Sequence, residues 1–177
     1  MSWQPEIDEL RRREALAKQM GGEERVQKHR AQGKLTVRER IEKLLDPGSF
    51  HETGAIAGKA TYQDGEMVDF RPANFLLGTG RIDGRKVVVG ADDFTVRGGA
   101  ADGSIRGKQI YSELMARELQ LPIIRLVDGT GGGGSVKTID MQGATYVPVN
   151  PAWDLVVDNM GKIPVVAACL GSVAGLG

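Results

Sequence analysis

Three apolar runs in this chain each end in a cluster of glycines, and no other feature limits the fold so tightly. Lys86-Val-Val-Val-Gly-Ala91 is followed by Gly98-Gly99, and Pro122-Ile-Ile-Arg-Leu-Val127 by Gly129-Thr-Gly-Gly-Gly-Gly134. Ile163-Pro-Val-Val-Ala-Ala-Cys-Leu170 leads into Gly171-Ser-Val-Ala-Gly-Leu-Gly177. Such runs have the length and aliphatic content of buried strands. Helical patterns separate them: Ser104 opens one that carries Ile105, Ile110, Leu114, Met115 and Leu119, and a second is expected around Ala152 to Met160. Strands alternating with helices predict an α/β fold with a mostly parallel sheet. Ligands of open sheets lie beyond the carboxyl ends of the strands, so the three glycine turns are expected on one edge. Glycine lets backbone amides approach a ligand, and amides that open a helix favour an anion or an oxyanion.

The region before these runs is different in character. Ile7, Leu10, Ala15, Leu16 and Met20 recur at helical spacing among charges, Gly21-Gly22 breaks the pattern, and a charged stretch continues to Lys34. We read residues 1–35 as a helical arm with a solvated charged face. Thr36-Val-Arg-Glu39 is a capping box, and the helix that it opens carries Ile41, Leu44 and Leu45 before Asp46-Pro47-Gly48 stops it. Residues 49 to 73 read as loop with at most an edge strand, turned near Asp64-Gly65, because Pro72 argues against a central strand. Phe75 to Ile82 pairs with the following run through Asp83-Gly84-Arg85, a hairpin signal. Residues 36–177 therefore form the α/β domain. Its last glycine segment should open a helix that does not follow, so the chain is expected to be the N-terminal portion of a longer protein.

Composition removes several classes of function. Twenty-three Lys and Arg balance twenty-three Asp and Glu, which leaves no bulk basic footprint for nucleic acid. One cysteine, Cys169, rules out an intrachain disulfide framework, and two histidines, His29 and His51, leave little for a metal site or a Ser-His-Asp relay. No apolar run is long enough to span a membrane and no apolar signal region opens the chain, so a cytoplasmic protein is expected. Gly129 to Gly134 formally matches the G-x-G-x-x-G dinucleotide pattern, which keeps a Rossmann reading open. The phosphate-loop pattern fails, since Lys137 comes two residues late. Asp92 and Asp93 are expected as a strand-end cap, Tyr146 and Trp153 as packing residues, and Cys169 as a buried strand residue.

Four stretches carry a resemblance: Gly33-Lys-Leu-Thr-Val-Arg-Glu-Arg-Ile41, Leu44-Leu-Asp-Pro-Gly-Ser-Phe50, Asp93-Phe-Thr-Val-Arg-Gly-Gly99 and Gly171-Ser-Val-Ala-Gly175. In this order and at these separations they resemble the carboxyltransferase (β) subunit of biotin-dependent acyl-CoA carboxylases of the propionyl-CoA and methylcrotonoyl-CoA type. The resemblance runs from about Gly21 to the end of the chain. It implies a crotonase-like fold of ββα units, of which residues 36–177 would be most of the N-terminal half. It also implies transfer of a carboxyl group from biotin, held on a separate carrier, to the α-carbon of an acyl-CoA, with the enolate held by backbone amides. Biotin carboxylase and the biotin carboxyl carrier would be partners, along with further copies of the chain, and neither nucleic acid nor a membrane.

Carried over by position, Gly175 and Leu176 take the place of the family's oxyanion-binding Gly-Gly pair, with Leu176 a departure from it. Gly98, Gly99 and Ala100 would border the CoA pocket, and Gly131 and Gly132 would line the CoA and acyl site. Other readings stay open: a non-catalytic CoA-binding or assembly module of the same fold, a subunit of an acyl-CoA decarboxylase, and the dinucleotide-binding domain.

Overall fold

The computed structural model describes residues 2–99, 105–131, 140, 143, 152–171 and 173–175. Three helices come first: α1 (Gln4–Lys18), α2 (Glu23–Ala31) and α3 (Val37–Leu44). Pro5 sits in the first turn of α1, where no intrahelical amide bond is lost. The predicted capping box opens α3 in full. Thr36 Oγ1 accepts the Glu39 amide at 3.3 Å, and the Glu39 carboxylate accepts the Thr36 amide at 2.7 Å. That amide first, then Arg30, holds the Glu39 carboxyl down at about 2.

The main sheet has five strands in the order β1 (His51–Thr53), β4 (Phe75–Ile82), β5 (Arg85–Asp92), β6 (Ile123–Val127) and β8 (Val165–Cys169). β5, β6 and β8 pair in parallel, while β4 runs the other way and pairs antiparallel with both β1 and β5, so the sheet is mixed at its β1 side. Asp83 and Gly84 turn β4 into β5 with φ of +49° and +77°, the left-handed pair that a two-residue hairpin requires. α4 (Arg106–Leu119) connects toward β6, and α5 (Trp153–Met160) precedes β8. A short parallel pair, β7 (Thr130–Gly131) and β9 (Ala174–Gly175), lies beyond the strand ends.

β5 buries both of its faces, which is why its sequence reads as an unbroken apolar run. Val87, Val89 and Ala91 pack with Val37, Ile41 and Leu45 below α3, and Val88 packs with Met115, Ala116 and Ile123 on the α4 side. β8 differs from expectation. It is an edge strand among the described residues, Val166 is 52% exposed, and Cys169 is exposed rather than buried. Trp153 is likewise half exposed instead of packed, since at the start of α5 it lines an open groove with Val127 of β6 and Cys169 of β8.

Residues 49 to 73 also depart from the expected loop. They hold β1 and a separate hairpin, β2 (Gly58–Gln63) with β3 (Glu66–Pro72), turned at Asp64-Gly65 as predicted. Thr61 pairs with Asp69 but Tyr62 with Met67, so Val68 is an extra residue, a β-bulge. The bulge returns Met67 and Phe70 to one face, where they form a small core with Ala17 of α1. Pro72 sits at the end of β3, where a missing amide is tolerated.

Candidate functional site

The carboxyl ends of β5, β6 and β8 converge, and glycine is what allows them to touch. A 3-10 turn over Arg97–Gly99 follows β5, with Gly98 and Gly99 at φ of +63° and +67°. A Cβ on Gly99 would stand 2.8 Å from the Asp128 carbonyl oxygen and from the Gly129 Cα, so the turns after β5 and β6 meet backbone to backbone. Beyond β8, a Cβ on Gly171 would fall 1.9 Å from Asp128 Oδ1. Further out, Gly131 is in register with Gly175 across the β7–β9 pair. The structure therefore gathers Gly98, Gly99, Gly131 and Gly175 on one edge. Ala100, Gly132 and Leu176 lie outside the described residues.

Below this edge is a buried charged group with Asp128 at its centre. The Asp128 side chain is fully buried, its Oδ2 lies 2.6 Å from Arg40 Nη2, and His29 Nε2 stands 3.9 Å away. Arg40 Nη2 also donates to the Leu170 carbonyl at 3.5 Å, so one guanidinium from α3 reaches the ends of both β6 and β8. The Asp128 amide donates to Asp92 Oδ2 at 3.1 Å. Burial pushes the Asp92 carboxyl up to about 6, and the Asp128 charge adds to this, while the amide bond opposes it. Asp93 is also raised by burial, against bonds from the Thr95 amide at 2.9 Å and hydroxyl at 2.6 Å. Asp93 thus closes the strand end, as the expected cap does. Thr95 Oγ1 accepts the Gly21 amide at 2.9 Å, tying the α1–α2 corner to the same turn.

A cleft of about 570 Å³ opens beside Gly98, between α2 and the turn after β5. α2 contributes Arg25 and Lys28, Gln32 follows at its C-terminal end, the turn contributes Phe94 and Arg97, and β3 contributes Arg71. The sequence reading took the α2 stretch as a solvated face and missed this cleft. Its local signal was the spacing of residues 25, 28 and 32 on one helical face, but the opposite wall comes from distant segments. Among the described residues, no three His, Cys, Asp or Glu side chains gather to hold a metal ion, and no helix is long and apolar enough to cross a membrane.

Comparison with known proteins adds to this geometry. The carboxyl transferase domain family matches residues 28–177. The propionyl-CoA carboxylase beta chain of Cereibacter sphaeroides is 36% identical over 171 residues, which cover 96% of this chain and 32% of that protein. The methylmalonyl-CoA decarboxylase subunit alpha of Veillonella parvula is 33% identical over 173 residues, 97% of this chain and 33% of that protein. Among solved structures, the hexameric transcarboxylase 12S with hydrolysed methylmalonyl-coenzyme A bound superposes with a TM-score of 0.71 at 30% identity, covering 99% of this chain and 33% of that one. The chain spans about a third of the length of the curated relatives it matches.

Proposed function

Because this chain belongs to the carboxyl transferase domain family and has its crotonase-like α/β fold, we propose that it is part of the carboxyltransferase component of a biotin-dependent acyl-CoA carboxylase. The reaction moves a carboxyl group to the α-carbon of an acyl-CoA. One observation carries the reading: three glycine turns share one edge, with Gly131 and Gly175 side by side in register. Backbone without side chains lets a thioester oxygen come within hydrogen-bond reach of amides.

The amides of Gly175 and Leu176 are the donors for that oxygen as it gains charge. Loss of one such donor in other enzymes costs about 2.7–4 kcal/mol of barrier, so an amide pair carries much of the catalysis without a titrating side chain. Gly98, Gly99, Ala100, Gly131 and Gly132 border the CoA and acyl groups. Carboxybiotin, brought by a separate carrier, supplies the carboxyl group when bound. The buried Arg40–Asp128 pair acts through the turns, fixing where their amides point.

Residues 1–35 serve as an arm, and residues 36–177 as the N-terminal portion of the domain. The partners are biotin carboxylase, the biotin carboxyl carrier and further copies of this chain, and the compartment is the cytoplasm. The Veillonella relative favours a second reading, in which the same site belongs to an acyl-CoA decarboxylase and the carboxyl group moves the other way.

Calorimetric titration of the chain with propionyl-CoA and with NAD tests the proposal. Micromolar binding of the CoA ester and none of NAD is expected. Binding of NAD alone would restore the dinucleotide reading, and binding of neither would remove the acyl-CoA site from this chain.

A further inference from the structure

We propose that Lys108, in the first turn of α4, is a carbamate site: its side-chain amine takes up carbon dioxide, and the anion so formed supplies the negative charge that the N-terminus of α4 lacks. The acyl-CoA reading is not needed for this and does not depend on it.

Backbone amides that open a helix favour an anion and disfavour a cation. Each of α1, α2, α3 and α5 has an acidic residue in its first turn: Glu6, Glu23 with Glu24, Glu39 and Asp154. α4 has none there, and Ile105 at its N-cap gives no side-chain acceptor. Lys108 occupies that turn instead. Long side chains on a helix lean back over the turn before them, so the amine is carried toward the uncapped end.

Lys108 is also poorly placed to stay an ammonium. It is 7% exposed, and a Cβ on Gly54, in the loop after β1, would stand 3.5 Å from its Cε. Among the described residues its side chain has no hydrogen-bond acceptor and no ion pair. Burial pulls its basicity below the usual lysine range, Glu52 opposes this, and Arg38 reinforces it. The neutral amine, with its lone pair free, is the form that reacts with carbon dioxide.

The neighbouring arginine suits the product. Arg38 of α3 holds the Glu52 carboxylate through Nη1 at 2.9 Å and Nη2 at 3.4 Å, while its Nε is buried without a hydrogen-bond partner. A carbamate at Lys108 therefore adds an anion beside a guanidinium that is only partly satisfied.

The step balances without oxidant or reductant. The ammonium gives one proton to solvent, and the nitrogen lone pair bonds to the carbon of carbon dioxide. One C=O π pair moves onto oxygen, giving the carboxylate, and the nitrogen loses a second proton to solvent. The charge at the helix N-terminus changes from positive to negative, the sign that its amides favour.

To test this, the whole chain is equilibrated with isotopically labelled carbon dioxide at constant pressure and treated with triethyloxonium, which fixes a carbamate as its ethyl ester. Peptide mass spectrometry then locates the label. Lys108 is expected to carry at least about fivefold more label than Lys43, an exposed lysine of α3, and more as pH rises, since protons are released. Glu52→Gln should raise the labelled fraction and Arg38→Gln should lower it. The thermal midpoint of the parent chain should rise under carbon dioxide relative to nitrogen at equal pH and ionic strength, and that of Lys108→Met should not.

Label on Lys108 no higher than on Lys43 overturns the inference, and the parent chain alone decides this whether or not the variants fold. A thermal shift that persists in Lys108→Met assigns the effect to another amine and overturns it as well. Label on Lys108 with an unchanged midpoint overturns its role at the N-terminus of α4.

Discussion

Arg40 and Arg13 each tie an N-terminal helix to β structure, in opposite surroundings. Arg40 of α3 is buried and faces a fully buried carboxylate at 2.6 Å, at the point where two turns of the glycine edge come together. Arg13 of α1 sits at the surface, bonded to Glu9 and to the Tyr62 hydroxyl of β2, over a small core of Ala17, Met67 and Phe70 against which Leu16 and Ala60 pack. The Tyr62 hydroxyl first, and then Arg13, hold the Glu9 carboxyl below its usual range. Solvent reaches the Arg13–Glu9 pair and makes up much of what either loses, whereas Asp128 is shut off from it. The residues that shape the edge are therefore fixed by an interaction the protein cannot give up singly, while the outlying hairpin is only steered.

Substitution should expose the difference. Arg40→Met leaves Asp128 buried and unpaired, and is expected to cost about 3–5 kcal/mol of stability in urea unfolding. A loss under about 1 kcal/mol would put Arg40 in the same class as Arg13. Gly171→Ala forces a methyl group onto the Asp128 carboxylate, which Arg40 prevents from moving aside, and should cost about 2–3 kcal/mol by the same measurement.

Asp92 sharpens the comparison through pH. Its folded carboxyl, at about 6, binds a proton more tightly than in the unfolded chain, whose ordinary value is 3.8. Stability from this group is full below about pH 4 and is lost as pH rises through 6, by on the order of 3 kcal/mol. Asp92→Asn should flatten that part of the stability profile, and an unchanged profile would show that Asp92 titrates normally. Glu39 has the opposite sign: its depressed carboxyl contributes above pH 4.5, and the contribution is lost as pH falls toward 2. Thr36→Ala removes the other half of the capping box and should cost about 1 kcal/mol at neutral pH. Tyr62→Phe is the smallest case. It should leave the melting temperature unchanged and raise amide exchange only in α1 and β2–β3, whereas a cooperative loss would mean that the hairpin belongs to the main core.

The sequence was readable where short-range chemistry decides the structure. Thr36 and Glu39 announce α3 because both halves of the box lie within one turn, and Asp83-Gly84 announces its hairpin because left-handed φ values suit those residues. The three glycine turns were visible as a group because each closes an apolar run. The β2–β3 hairpin was not legible, since the bulge at Val68 breaks the alternation that marks a strand. The Arg40–Asp128 pair was equally hidden, because nothing local distinguishes a buried arginine from the exposed ones around it. The cationic cleft needed three segments to meet. Trp153 misled for a related reason: a large apolar side chain reads as core, and only the position of α5 reveals that it is half exposed.

α3 is fastened to opposite ends of the sheet. Arg40 holds it at the carboxyl ends of β6 and β8, and Asp46, just past the helix, accepts the amides of Asp83 and Gly84 at the far turn, at 3.0 and 2.8 Å. The helix therefore acts as a longitudinal strut, and sliding it along the strands would break both fastenings together. Among the described residues α2 has no such fastening to the far turn, and Gly33, at φ +75° with open space around it, stands between the two helices. Arg30 reaches across Gly33 to Glu39 at 2.7 Å and His29 donates to the Leu35 carbonyl at 3.1 Å, so α2 is carried on the same strut, and the wall it gives the cleft keeps its place relative to the glycine edge.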